Sequence, residues 1–129
     1  MNQSVHFDKR RTIAIDHMRK KQFDKALSLF EELLEDGEDD SSLYYMAGQC
    51  CRYLWSDGHE FGHEIDDAIS YLEQAMKRLI EPERNEEGHS YHVYLAFGIA
   101  LQLAERYEEA VEELKKAVKL KPPKSLACN

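Results

Sequence analysis

The stretch HEFGH, His59 to His63, matches H-E-x-x-H, and it is where this sequence comes nearest to enzyme chemistry. On a helix, histidines four residues apart share a face and can both reach a zinc ion, with the intervening Glu60 as general base. A zinc hydrolase also needs a third ligand, an open coordination position and a surface that aligns the substrate, commonly an edge strand. Gly62 weakens a helix inside the motif, and no spacing in the chain demands Glu105 as the third ligand. The competing interpretation of 57–66 is a surface turn entering a helix, whose N-terminal dipole favours Glu60 and Glu64. That interpretation is preferred. No catalytic residue, cofactor or favoured metal site is assigned, and a zinc-binding hydrolase using His59 and His63 stands as the alternative.

Other reactive side chains give weaker signals. Cys50, Cys51 and Cys128 form no C-x-x-C pair and leave an odd count. This is not a disulfide framework, so a reducing compartment is expected. Cys50 and Cys51 occupy helix positions expected to pack, and buried apolar thiols are inert. His17 falls on a core-facing position, where a hydrogen-bonded interior or capping role fits better than metal ligation. There is no Gly-rich phosphate loop and no setting for a serine nucleophile.

A chain of 129 residues makes one domain, 1–129. Seventeen Lys and Arg against 25 Asp and Glu give a net charge of -8, which disfavours nucleic acid or an anionic membrane as the main partner. Basic residues gather at 9–25 and carboxylates at 31–40, both expected to be solvated. No apolar run reaches the length of a membrane span, and the N-terminus lacks the apolar core of a signal peptide. A soluble, cytoplasmic protein is expected.

The elements that would carry these residues follow from internal repetition. KQFDKALSLFEELLED, EIDDAISYLEQAMKRLI and RYEEAVEELKKAVKLKP each place an alanine (Ala26, Ala68, Ala110) ahead of an apolar residue four positions on (Phe30, Leu72, Leu114) and another three beyond (Leu33, Ala75, Ala117). That spacing is one face of an amphipathic helix. Before each runs a second helical pattern with a small residue in a constant place: Ala14, Gly48 and Gly98. A small residue there lets a neighbouring helix approach closely.

These residues resemble the tetratricopeptide repeat pattern, W-x2-L-G-x2-Y, then A-x3-F, then P. The third copy matches through Tyr94, Phe97, Gly98, Leu101, Tyr107, Ala110, Leu114, Ala117 and Pro122. The second matches through Tyr44, Ala47, Gly48, Cys51, Ala68, Leu72 and Ala75. The first matches more loosely, through Ile13, Ala14, Phe23, Ala26 and Phe30, with Arg10 and His17 where aromatics are usual. The resemblance implies an all-α fold, a right-handed α-solenoid of three helix-turn-helix hairpins at about 7–40, 41–82 and 91–124. It also implies a non-enzymatic protein-interaction module or scaffold.

Thirty-four residues separate Ala14 from Gly48, whereas 42 separate Ala26 from Ala68 and Ala68 from Ala110. Eight extra residues therefore enter in each of two places, around WSDGHEFG inside the second hairpin and around EPERNEEG after it. Turn-forming residues mark both as enlarged loops. A helix from about 65 to 80 would hold them roughly 20 to 25 Å apart, keeping His59 and His63 away from His89 and His92.

In the tetratricopeptide family the first helices of successive hairpins line a concave groove that holds a peptide or helix of a partner. The matching residues here are Arg11, Ile15 and Met18, then Tyr45, Met46, Gln49 and Arg52, then Leu95 and Ile99. Relatives that clamp a chaperone's terminal carboxylate carry Lys, Asn, Asn, Lys and Arg at positions matched here by Arg11, Ile15, Met46, His92 and Ala96. Only Arg11 keeps the charge, so no such clamp is expected. The partner expected is a protein or peptide with apolar anchors and some acidic residues. Val111, Val118 and Leu120 would leave an apolar edge on the last repeat, so a homodimer through that uncapped repeat is also expected. A purely structural homo-oligomer is the remaining alternative. The zinc alternative has a direct test: protein purified without chelators should carry less than stoichiometric zinc by elemental analysis, and added zinc should leave its melting temperature unchanged.

Overall fold

The computed structural model describes residues 9–56 and 65–120, and HEFGH lies outside them. Among the described residues six α-helices follow one another: α1 (Lys9–Arg19), α2 (Phe23–Glu35), α3 (Ser41–Ser56), α4 (Ile65–Lys77), α5 (His89–Leu103) and α6 (Tyr107–Leu120). Among the described residues there is no strand. The closest packing joins α1 to α2, α3 to α4 and α5 to α6. Each pair then rests on the next through α2 with α3 and α4 with α5, and α3 also touches α5. No helix is both long and apolar enough, among the described residues, to cross a membrane.

The pairs close where a side chain is missing. A Cβ built on Gly48 would lie 2.7 Å from Leu72 Cγ and 3.3 Å from the Ala68 carbonyl oxygen; one on Gly98 would lie 2.6 Å from Leu114 Cδ2 and 3.4 Å from the Ala110 oxygen. The same three positions therefore meet in the second and third pairs. In the first pair the corresponding residues, Ala14, Ala26 and Phe30, have no exposed surface. The alanine stripe read from the sequence is the core of each pair: Ala26, Leu33, Ala68, Leu72, Ala75, Ala110 and Ala117 are all buried. Removing a leucine-sized side chain from water stabilises by about 1.5–3 kcal/mol.

Helix ends repeat as well. After α1, the Lys21 and Gln22 amides donate to the carbonyls of Met18 and His17. After α5, the Glu105 and Arg106 amides donate to those of Gln102 and Leu101, and after α2 the Gly37 and Glu38 amides donate to those of Leu34 and Leu33. All three are Schellman ends, with a left-handed residue just past the helix. Gly37 adopts that conformation freely at φ 101°, whereas Lys21 (62°) and Glu105 (65°) hold it with a Cβ.

Both enlargements differ in part from simple loops. The helix α3 runs eight residues beyond Gly48, where α1 and α5 run five beyond Ala14 and Gly98, so Leu54, Trp55 and Ser56 extend the helix. The helix α4 stops at Lys77, three residues short of the expected Ile80. The second enlargement folds into two 3₁₀ turns, Pro82–Arg84 and Glu86–Gly88, with Glu81, Asn85 and Glu87 in the left-handed region.

The two glycines should respond unequally to alanine. Leu72 is fully buried and has nowhere to move, whereas Leu114 is half-buried. Gly48→Ala is expected to destabilise by about 1–3 kcal/mol. Gly98→Ala should be close to neutral, because about 1 kcal/mol of helix propensity offsets the displacement of Leu114. Urea unfolding of both variants measures the difference.

Candidate functional site

One depression lies between α3 and α5, and another lies at their N-terminal ends. The first is a space of about 280 Å³ lined by Tyr45, Gln49, Arg52 and Tyr53 from α3 and by His92, Leu95, Ala96 and Ile99 from α5. It exists because positions 45, 49 and 52 of α3 share a face, and α5 presents 92, 95, 96 and 99 by the same spacing.

Its polar side is held in place along α3. Gln49 Nε2 donates to Tyr45 Oη at 3.4 Å, and Arg52 Nε donates to Gln49 Oε1 at 3.1 Å. The Arg52 guanidinium carbon sits 4.4 Å over the Tyr53 ring, which stacks on Phe23 of α2 at 4.8 Å between centroids. A cation over an aromatic face keeps its charge while losing rotamer freedom. Among the described residues no carboxylate comes within ion-pair distance of Arg52. Tyr45 packs against the core formed by α4, α5 and α6, and this burial raises its phenol pKa.

Five of the nine residues expected in a groove, Tyr45, Gln49, Arg52, Leu95 and Ile99, are thus brought together. The others sit elsewhere. Ile15, Met18 and Met46 are partly buried against the core shared by the first two helix pairs. Arg11 Nη2 lies 2.6 Å from Asp40 Oδ2 and 3.2 Å from Glu38 Oε1, so its charge is matched by the turn between α2 and α3.

The second depression, about 780 Å³, is lined by that turn, the start of α5 and the segment after α4. Asp40 is its hub. Its Oδ1 accepts the Leu43 amide at 2.8 Å, capping α3, while its other oxygen accepts from Arg11. Burial opposes ionisation of Asp40, but these hydrogen bonds outweigh it and hold the carboxyl below its ordinary pKa. On the far side Arg78 pairs with Asp39 and lies 4.4 Å over the Tyr44 ring. The carboxylates expected to be simply solvated here fasten α1 and the end of α4 to α3.

Ser41 Oγ donates to the Ala75 carbonyl at 2.7 Å and stands 2.9 Å from His89 Nε2. A hydroxyl has one hydrogen, so with that hydrogen on Ala75 the contact to histidine requires Nε2–H as donor. The nitrogen facing Ser41 then has no lone pair for its proton, and the two do not form a nucleophile and base. They tie the end of α4 to the starts of α3 and α5.

Sequence reasoning missed this junction, and also Asn85. Asn85 Oδ1 accepts the Tyr91 amide at 2.8 Å and Nδ2 donates to the Leu120 carbonyl at 3.3 Å, so one side chain caps the start of α5 and the end of α6. Gly88, at the N-terminus of α5, has no side chain to do so. The available signals were Asp40 before a serine pair, a frequent N-cap spelling, and an asparagine inside a turn-rich enlargement.

The remaining candidates are quiet. Cys50 and Cys51 are buried, and burial pushes both thiols up to about 12. His17 Nδ1 contacts Gln22 Oε1 at 2.7 Å across the α1–α2 turn. Among the described residues no group of three or more His, Cys, Asp or Glu could hold a metal ion. No protein-family model and no curated protein matches this chain.

Burial, and then the neighbouring His92, push the His89 pKa below its ordinary 6.5, with Asp40 pulling the other way. The fold thus favours neutral His89. That contribution is complete above 6.5 and is lost as pH falls from 6.5 through the lowered folded value. The Asp40 contribution is lost separately, at pH below its ordinary 3.8. Wild-type protein should therefore unfold at lower urea at about pH 5 than at about pH 7, and His89→Gln should reduce that difference.

Proposed function

We propose that this protein is a tetratricopeptide-like α-solenoid that works as a non-enzymatic interaction module, holding a segment of another protein against α3 and α5. The repeat reading is supported by the matching contacts of Gly48 and Gly98 and by the matching turns after α1 and α5. Packing of each pair on the next, with α3 also reaching α5, is the arrangement such an array requires.

The observation that carries the binding reading is the α3–α5 depression itself. Leu95, Ala96 and Ile99 offer an apolar wall, Tyr45 and Tyr53 offer amphipathic rings, and Arg52 offers a positioned charge. Tyrosine and arginine are enriched where proteins meet because they combine large contact area with directional hydrogen bonds. The chemistry fits a peptide or short helix with an apolar anchor for the α5 wall and a carboxylate for Arg52. With Arg11 matched by Glu38 and Asp40, the acidic residue of the partner is drawn toward the Arg52 end.

Tyr45 packs on the core, so truncating it would mix stability with binding. Arg52→Glu with Gln49→Ala is the cleaner change, since both side chains are only partly covered. Partners captured from a lysate by the wild-type chain should be lost by the double variant, while unfolding free energy stays within about 1 kcal/mol. Retention of the same partners at the same level would remove the α3–α5 assignment.

A further inference from the structure

We propose that the outer face of α6 is a dimer interface, across which two copies of this chain pair their α6 helices antiparallel. This surface is separate from the α3–α5 depression, and the inference stands independently of the binding function proposed above.

Tyr107, Val111, Leu114 and Val118 follow one another at spacings of four, three and four, the heptad seam of a two-stranded helix pair. Helix packing inside the chain uses the adjacent line, with Ala110 and Ala117 buried, together with the side of Leu114 that lies against Gly98. Leu114 is therefore half-buried, and the other three seam residues are left open: Tyr107 is 59%, Val111 48% and Val118 74% exposed. Val111, Leu114 and Val118, with Lys115 and Lys119, line an almost wholly apolar depression of about 410 Å³.

Charge along the seam selects the occupant. Glu108 and Glu112 flank its first half, and Lys115 and Lys119 flank its second. Glu109 pairs with Arg106 and Glu113 with Lys116, but Glu108, Glu112, Lys115 and Lys119 have no ion-pair partner among the described residues. An antiparallel second copy answers them. Layering Val111 on the partner's Leu114 and Tyr107 on the partner's Val118 repeats each contact twice under a two-fold axis. The same register sets Glu108 beside the partner's Lys115, again twice. A parallel pairing would instead bring the two acidic halves together. One helix face buries less than about 1,200 Å² in total, so association should be weak, on the order of 10–100 µM.

Sedimentation equilibrium of the full chain from about 5 to about 500 µM reads the association. The weight-average mass should rise from the 15.1 kDa of one copy toward twice that value. Val118→Glu should raise the dissociation constant about tenfold or more, with unchanged helical circular dichroism because Val118 is exposed. Glu108→Lys should weaken the dimer, and Glu108→Lys combined with Lys115→Glu should restore it to within about threefold of wild type. A monomer throughout, or a dimer indifferent to Val118→Glu, would overturn the interface. A dimer that forms only after residues 121–129 are removed would mean that the chain covers this face itself. Failure of the charge exchange to restore association would overturn the antiparallel register.

Discussion

The absence of a side chain at Gly48 and Gly98 sets how closely the second and third helix pairs close, and most of the fold follows from that distance. Leu72 and Leu114 fill the space a Cβ would take. Once each leucine is lodged, the alanines on either side are drawn into contact with the facing helix. The stripe Ala68, Leu72, Ala75 becomes core rather than surface. Ala14 fills the equivalent place in the first pair with a single methyl, and Phe30 takes the part of the leucine. The apolar edges left over are what one pair offers the next. In the first two pairs those edges meet neighbours. On α6 the corresponding edge, Val111 and Val118, meets none among the described residues.

Charge organises the joints between pairs. The carboxylates near 31–40 suggest a solvated turn, and the net charge of -8 encourages that view. Tertiary packing uses them differently. Arg10 reaches Asp36, Arg11 reaches Glu38 and Asp40, Arg78 reaches Asp39, and Tyr71 Oη donates to Glu31 at 2.8 Å. Each exposed pair contributes little, about 0.2–1 kcal/mol. Those at Asp39 and Asp40 gather at the capped start of α3 and tie it to α1 and to the end of α4, whereas the Arg10 and Tyr71 contacts hold α1 and α4 to α2. Arg11 is consumed by the joint, whereas Arg52, held over Tyr53, lines the α3–α5 depression. The cation left for the proposed partner therefore lies toward the C-terminal half of α3.

Much of this was legible in the sequence because it rests on local periodicity. The helix positions, the buried alanine stripe, the small residues at 14, 48 and 98 and the packing of Cys50 and Cys51 are all set by spacing along one chain. Five of the nine expected groove residues share one depression for the same reason: 45, 49 and 52 lie on a single face of α3, and 95 and 99 on a single face of α5. The other four depend on what neighbouring helices place beside them. Ile15, Met18 and Met46 meet apolar side chains and are drawn partly into the core, and Arg11 meets two carboxylates nearly thirty residues away. No spacing rule announces such a meeting.

The enlargements divide along the same line. Their position and size followed from comparing repeat spacings, since an inserted residue shifts everything after it. Their conformation did not. Repeat spacing does not say that Trp55 and Ser56 continue a helix, or that Glu81, Asn85 and Glu87 adopt left-handed backbone. Asn85 shows why: its amide caps α5 and reaches the end of α6, two helix ends adjacent only in the folded chain. The sequence by itself determined three amphipathic helices, the helical pattern with a small residue ahead of each, and the places where extra residues enter, because each is a matter of local spacing and side-chain size. Only the tertiary structure decided which charges are neutralised, which apolar faces stay open and which polar side chains close the joints, because those outcomes belong to pairs of residues that distance along the chain does not connect.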